Sequence, residues 1–123
     1  MIKVAVDAVG GDHYPQNPVQ GAIQAVSEDK NLVVILVGPE QMIKDELVKQ
    51  EYSGDRISVF HAPDIITMDD SPASAVKSKP QSSIPVGLTL HAKKHCDAFV
   101  SAGNTGALLA ASAFILGRLD GVM

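Results

Sequence analysis

The chain has 123 residues, of which 46% are hydrophobic, 20% are charged and 4% are aromatic, and its formal net charge is −4 at pH 7. This length predicts a single domain spanning residues 1–123, and the composition excludes a disordered or fibrous protein. No basic stripe with interleaved aromatic residues is present, so we expect no nucleic-acid partner.

The first predicted element is a strand at residues 2–7, an apolar, β-branched run typical of a strand covered on both faces. The next is a helix over 17–28, with Asn17 as its cap and Pro18 at its first position. Residues 32–38 repeat the pattern of a buried strand.

A second helix is predicted over residues 39–50, and a shorter third strand over 56–62. The following segment, 63–85, holds four prolines and is too polar to be a central element, so it predicts a functional loop. Within it a short helix is expected at 71–78, capped by Ser71 and with Pro72 in its first turn.

Ser83 and Pro85 repeat this cap signature and predict a helix that continues to about His95, with Ile84, Leu88 and Ala92 on one face. A fourth strand follows at 97–102, and an apolar helix at 104–118. The alternation of strands and helices predicts an α/β fold, a doubly wound and mostly parallel sheet in a three-layer α/β/α sandwich.

Two observations bear on location. The apolar N-terminus is too short for a signal peptide, and no run approaches the ~18 apolar residues of a spanning helix, so we expect a cytoplasmic protein. The single Cys96 cannot form an internal disulfide and is expected to be a small apolar residue near a strand start.

Ligands of open parallel sheets bind at the carboxyl ends of the strands. Three loops of this chain are expected there, "DAVGGDH" at 7–13, "MDDSPASAVKSKPQSS" at 68–83 and "SAGNTGA" at 101–107. Any active site is therefore expected where these loops meet.

The loop at 101–107 has the features of an anion site. Gly103 and Gly106 let an anion approach the main chain, while Ser101, Asn104 and Thr105 supply polar groups at a helix start, where the dipole favours negative charge. Such a loop would hold a phosphate or a developing oxyanion. The alternative is a tight turn in which Asn104 only caps the helix.

The other two loops offer weaker signals. Gly10 and Gly11 form a turn before Asp12 and His13, a pair that would supply a base or a steering cation, or else a solvated turn. The middle loop offers two cations and two hydroxyls that would attract an anion, or else a solvated face. These residues are Lys77, Lys79, Ser82 and Ser83.

Several motifs are absent from the sequence. The glycines do not match the dinucleotide fingerprint, no Walker A lysine is present, and no nucleophile elbow occurs. His91 and His95 are spaced by four residues on a helix without a nearby acid or cysteine, so we expect no metal site and no cofactor.

Together the three loops resemble the PlsX family, the phosphate acyltransferases of bacterial phospholipid synthesis. The matching stretches are "VDAVGGDHYP", "MDDSPASAVKSKPQSS" and "SAGNTGALLAASAFILGR", in the family's order. The resemblance spans the chain but only the N-terminal third or so of such a protein, so a fragment is expected. Val9, Tyr14 and Lys77 depart from the usual residues, and lysine at 77 lacks the bidentate fork of arginine.

The resemblance implies an enzyme that moves a fatty acyl group from acyl-acyl-carrier-protein to inorganic phosphate, with no cofactor. It also implies a fold similar to phosphotransacetylases and isocitrate or isopropylmalate dehydrogenases, a homodimer, peripheral association with the membrane, and a membrane glycerol-phosphate acyltransferase as downstream partner. His13, Asp12 and Asn104 are the expected catalytic residues. The expected phosphate contacts are Gly10, Gly11, Lys77, Lys79, Ser82, Ser83, Ser101, Gly103, Asn104, Thr105 and Gly106.

Two other functions remain open at this point. One is a catalytically incomplete fragment that serves as an assembly or interaction domain, because half a doubly wound sheet exposes an edge. The other is a nucleotide-binding regulatory module on the same fold.

Overall fold

A computed structural model describes residues 1–117 and shows four strands and five helices in that range. In chain order they are β1 (Ile2–Asp7), α1 (Gln16–Glu28), β2 (Leu32–Gly38), α2 (Glu40–Lys49), β3 (Ile57–His61), α3 (Pro72–Ser78), α4 (Ser83–Ala92), β4 (Ala98–Val100) and α5 (Thr105–Ile115).

The four strands form one parallel sheet in the order β3-β2-β1-β4. Val6 of the central strand β1 lies opposite Leu36 of β2 and Val100 of β4. The chain runs outward from β1 to β3 and then crosses back to β4, on the other side of β1. The strand order therefore reverses between β1 and β4, the place where parallel sheets bind ligands.

Helices cover both faces of the sheet, which confirms the predicted α/β/α arrangement. On one face, Val19 and Ala22 of α1 and Ile43 of α2 pack against Val34 and Leu36. On the other face, α4 packs against β1, β2 and β4, and α5 packs against α3 and α4. The apolar periodicity of each helix is thus directed at the sheet or at a neighbouring helix.

The two edge strands are shorter than predicted. The third strand is one residue shorter at each end than the predicted range 56–62. The fourth covers only three of the six residues in 97–102. Each of them pairs with one neighbour among the described residues, and Phe60 of β3 is exposed. β3 and β4 are therefore only partly buried, unlike a strand that is covered on both faces.

Helix boundaries also differ from the sequence predictions. α1 begins at Gln16 after Pro15, so Asn17 is not its cap and Pro18 lies inside the first turn, where its missing N–H needs no partner. α4 begins at Ser83 after Ser82, and it ends at Ala92 rather than at His95.

The chain leaves α4 through Lys94, whose backbone is left-handed at φ 62°. Ala92 consequently lies exposed, whereas Ile84 and Leu88 are buried as predicted. The short helix at 72–78 has Ser71 and Pro72 in the expected places, and α5 ends at Ile115. Arg118, the predicted end of that helix, lies outside the described residues.

Two further sequence expectations concern Cys96 and membrane spans. Cys96 lies just before β4, near a strand start as predicted; it is buried, and this burial raises the pKa of its thiol. Among residues 1–117, no helix combines the length and the apolar character needed to cross a bilayer.

Candidate functional site

The carboxylate of Asp7 lies at the carboxyl end of β1, where it is only 3% exposed. Its oxygens accept hydrogen bonds from Ser83 Oγ at 2.5 Å, from Ser101 Oγ at 2.8 Å and from the Val9 amide at 3.0 Å. Three segments are thereby joined at one side chain: the loop after β1, the first turn of α4 and the end of β4. A buried carboxylate tolerates this position because its acceptors are satisfied.

The loops after β1 and β4 touch through their main chains beside Asp7. A Cβ atom at Gly10 would lie 2.8 Å from the Gly103 nitrogen and 2.9 Å from Asp7 Oδ2. One at Gly103 would lie 3.0 Å from the same oxygen. Glycine at both positions is therefore what allows the close approach of the two loops, and the next residue, Gly11, has a positive φ of 82°.

The three serines of the predicted site direct their hydroxyl protons into the protein. Ser83 and Ser101 donate to Asp7, and Ser82 donates to the Lys79 carbonyl at 2.7 Å. Ser101 Oγ also accepts from the Gly103 amide at 3.0 Å. Their observed contacts therefore position the loops, and contact with an anion remains a prediction for them.

Asn104 is the buried cap of α5, as the sequence predicted. Its Oδ1 accepts from the Ala107 amide at 3.0 Å, and its Nδ2 donates to the carbonyls of Thr67 at 3.1 Å and Asp70 at 3.2 Å. Both amide protons are thus occupied by the loop after β3. The predicted catalytic role of Asn104 would require one of these bonds to be exchanged for a bond to substrate.

The first turn of α5 offers main-chain donors. The amides of Thr105 and Gly106 open the helix, and helix geometry gives such first-turn amides no carbonyl partner within the helix. The Thr105 side chain is exposed beside them. A Cβ atom at Gly106 would lie 2.5 Å from Pro72 Cγ, so this glycine also allows α3 to pack against α5.

The two lysines differ in their surroundings. Lys79 Nζ lies 2.9 Å from Asp70 Oδ2 and 2.8 Å from the Ile65 carbonyl oxygen, so its charge is already paired. The Thr67 amide, and after it Lys79, hold the pKa of the Asp70 carboxyl below its ordinary value. Lys77 is exposed on the last turn of α3.

Asp12 and His13 are exposed on the loop that follows Gly11. They line the mouth of an apolar cleft of about 480 Å³ between α1 and the sheet. A second cleft of about 160 Å³ lies where the three predicted loops meet, between Asp12, Tyr14, Met68 and Gly103.

Asp7 is the residue that sequence reasoning left without a role. Its signal was a carboxylate ending an otherwise apolar, buried strand, a position that acidic residues occupy only when paired or hydrogen-bonded. Tyr14 and Met68 were also missed as lining residues, because nothing in the sequence places positions 14 and 68 beside each other. Within residues 1–117, no group of three His, Cys, Asp or Glu side chains is arranged to hold a metal ion.

A family model described as "Fatty acid synthesis protein" matches residues 2–123. The chain is 50% identical over 122 residues to the phosphate acyltransferase of Salinibacter ruber, covering 98% of this chain and 36% of the relative. It is 48% identical to the phosphate acyltransferase of Chlorobaculum parvum, over 99% of this chain and 36% of that relative. It is 43% identical to the phosphate acyltransferase of Clostridium novyi, over 98% of this chain and 36% of that relative. The chain thus spans about a third of the length of these relatives.

Asp7→Asn tests the junction between the loops, meaning the hydrogen bonds that Asp7 accepts from Ser83, Ser101 and Val9. The amide keeps the shape of the carboxylate but replaces one acceptor by a donor and removes the charge from the remaining bonds, so we expect unfolding to become easier by about 1–3 kcal/mol. Urea unfolding measures the change. Asp55→Asn, the same change at an exposed residue, should alter stability by no more than ~0.5 kcal/mol. An Asp7 variant as stable as this control would contradict the role of the junction.

The lowered pKa of Asp70 predicts an acid-sensitive loop after β3. The stabilisation by ionised Asp70 is fully present above the unfolded value of about 3.9, and it is lost as pH falls through the lower folded value. The NMR shift of the Thr67 amide, which donates to Asp70 at 2.8 Å, should report this titration. Asp70→Asn should abolish it, and Lys79→Met should move its midpoint upward. A midpoint at or above 3.9 in the unsubstituted chain would be evidence against the arrangement.

Proposed function

Because the chain belongs to the fatty acid synthesis protein family, we propose that it forms the phosphate-binding part of an acyltransferase. The enzyme transfers a fatty acyl group from acyl-acyl-carrier-protein to inorganic phosphate and releases acyl-phosphate for phospholipid synthesis. The names of the relatives support an acyl transfer that involves phosphate. Because the chain spans about a third of their length, the remainder of such a protein would complete the site.

The reaction needs positioning more than it needs a protein nucleophile. A phosphate oxygen attacks the thioester carbonyl carbon, and the negative charge moves to the carbonyl oxygen of a tetrahedral intermediate. The C–S bond then breaks, the acyl–O–P bond remains, and the thiolate of the carrier takes up a proton. Phosphate is already a nucleophile, so catalysis requires that it be held beside the thioester and that the oxyanion be stabilised.

One observation supports this function above the others: the contact between the loops of Gly10 and Gly103 at the point where the strand order reverses. Along the chain, Gly103 is followed closely by Thr105 and Gly106, whose amides begin α5 at the positive end of the helix dipole. This main-chain surface suits an anion better than the side chains do, because those of Ser101 and Asn104 already bond to the protein. We assign the phosphate or the oxyanion to these amides.

The exposed groups near this surface receive supporting roles. His13, beside Asp12 on the loop after Gly11, would polarise the phosphate or protonate the departing thiolate. Lys77 is exposed and would draw anions towards the loops. Lys79 would act indirectly, because its ion pair holds Asp70 in place. Ser82 and Ser83 support the site from the first turn of α4.

The partners of the reaction are part of the same proposal. The enzyme would act in the cytoplasm, associate peripherally with the membrane as a homodimer, and pass acyl-phosphate to a membrane glycerol-phosphate acyltransferase. A phosphate-dependent assay in which acyl-phosphate is trapped as hydroxamate tests the reaction. It should compare this chain with a protein of the relatives' length that contains it.

A second candidate function is an assembly domain, which the free side of β4 favours. Among the described residues, β4 pairs with β1 alone, so its other side presents unpaired main-chain groups. A chain that forms dimers but gives no hydroxamate, alone or in the longer protein, would support this function. Tight nucleotide binding without acyl-phosphate formation would instead support a regulatory nucleotide module.

Thr105→Pro tests whether the main chain is the anion donor. Proline fits the first position of a helix and removes only an N–H that the helix does not use. Loss of one oxyanion donor should reduce kcat by about 10²–10³, as measured by hydroxamate formation in the longer protein. Thr105→Ala, which keeps the amide and removes the hydroxyl, is the matched control and should cost less. Equal activities of Thr105→Pro and the unsubstituted protein would exclude this amide as the donor.

His13→Ala tests acid–base chemistry. If the imidazole supplies the proton, the profile of kcat/KM against pH has a limb that depends on His13, and the substitution removes that limb. The same assay measures it. A variant with an unchanged profile would show that His13 does not transfer the proton.

A further inference from the structure

We propose that Asn104 is a positioning residue, which holds the loop at 65–70 against the first turn of α5 and makes no contact with substrate. The inference rests on the acyl transfer proposed above. The buried amide of Asn104 accepts from the Ala107 amide and donates to the carbonyls of Thr67 and Asp70. Only this orientation satisfies all three bonds, because the partners are one N–H and two carbonyl groups. A side chain that stabilises a transition state would instead keep its donors for the substrate.

The loop at 65–70 has little apolar burial of its own. Within these described residues Ile66 alone is buried, and none lies in a helix or a strand. A turn closes the loop internally, since the Asp70 amide donates to the Thr67 carbonyl at 3.2 Å and the Thr67 amide donates to Asp70 Oδ2 at 2.8 Å. Apart from Ile66, the loop is therefore fixed to the helices by hydrogen bonds from outside it, the kind of segment that opens locally when such bonds are lost.

Two residues at helix ends supply these outside bonds. Lys79, at the end of α3, donates from Nζ to the Ile65 carbonyl at 2.8 Å and to Asp70 Oδ2 at 2.9 Å. Asn104, at the start of α5, donates to the Asp70 carbonyl at 3.2 Å. The two residues thus share Asp70, one through its carboxylate and the other through its main chain. Loss of either donor should loosen the same segment.

The loop forms a wall of the candidate site. Just after it, Pro72 lies against the first turn of α5, because a Cβ atom on Gly106 would meet Pro72 Cγ at 2.5 Å. Thr67 and Met68 line the cleft of about 160 Å³ that Asp12 also lines. The loop supplies none of the main-chain donors that we assign to the phosphate or the oxyanion. Its displacement should therefore weaken the binding of substrate and leave those donors in place.

Asn104→Ser tests this role, because a serine hydroxyl also caps a helix but is too short to reach both carbonyls. In a protein of the relatives' length, hydroxamate formation should show KM raised about fivefold or more for at least one substrate, with kcat changed by less than about threefold. Loss of a transition-state donor would instead reduce kcat by about 10²–10³. A purely structural role would lower the amount of folded protein and leave KM unchanged. Asn31→Ser, the same change at an exposed residue just before β2, should match the unsubstituted protein.

Lys79→Met tests the same loop from its other contact. It should raise KM in the same way, and it decides the matter if Asn104→Ser does not fold. In the double variant, the loss of kcat/KM should differ from the product of the two single losses by more than about threefold, because both residues act on Asp70. Losses that multiply more closely than this would show independent roles and overturn the proposal. A reduced kcat at unchanged KM in Asn104→Ser would overturn it as well.

Hydrogen exchange in the 123-residue chain separates this proposal from the acyl transfer. Asn104→Ser should speed exchange of the Thr67 and Asp70 amides about fivefold or more, whereas the Ala107 amide, which the serine still caps, should change by less than about twofold. Unchanged exchange at Thr67 and Asp70 would overturn the proposal even if the longer protein makes acyl-phosphate. If the longer protein makes none, the acyl transfer is wrong and so is the role of Asn104 in it, while faster exchange would still support its hold on the loop.

Discussion

The buried carboxylate of Asp7 is the constraint on which the candidate site depends. Burying an unpaired carboxylate would cost several kcal/mol, so its position requires donors from elsewhere in the chain. Ser83 and Ser101 supply two of them, from 76 and 94 residues away. Because β1 is central and borders the point where the strand order reverses, this one side chain fixes the geometry of both neighbouring loops. The close contact of Gly10 with Gly103 follows from it.

The same arrangement limits what the side chains can do for a substrate. The hydroxyls of Ser82, Ser83 and Ser101 and the amide of Asn104 already bond to the protein, so they stiffen the loops. What remains for an anion is the main chain at the start of α5, together with the helix dipole. Such donors keep their orientation without an entropic cost at the moment of reaction, which suits a mechanism based on positioning an existing nucleophile.

Sequence patterns predicted those parts of the fold that depend on residues close to one another in the sequence. β1 and β2 were predicted with their exact bounds because both lie inside the sheet and are apolar on two faces. β3 and β4 were predicted too long, since an edge position ends regular pairing earlier than composition suggests. Asn104 was recognised as a cap because its bond to Ala107 spans three residues. Its bonds to Thr67 and Asp70 join distant segments, and no local pattern reveals these.

The free side of β4 and the apolar cleft are separate surfaces with separate requirements. An unpaired strand edge offers N–H and C=O groups in the plane of the sheet, and only another strand satisfies them regularly. The cleft lies above that plane and offers the side chains of Val4, Val6 and Val100, which require apolar contact and no hydrogen bonds. A strand added beside β4 would therefore widen this apolar surface without filling the cleft. Extension of the sheet in a longer protein and coverage of the cleft are thus compatible, because they use different groups of the same strand.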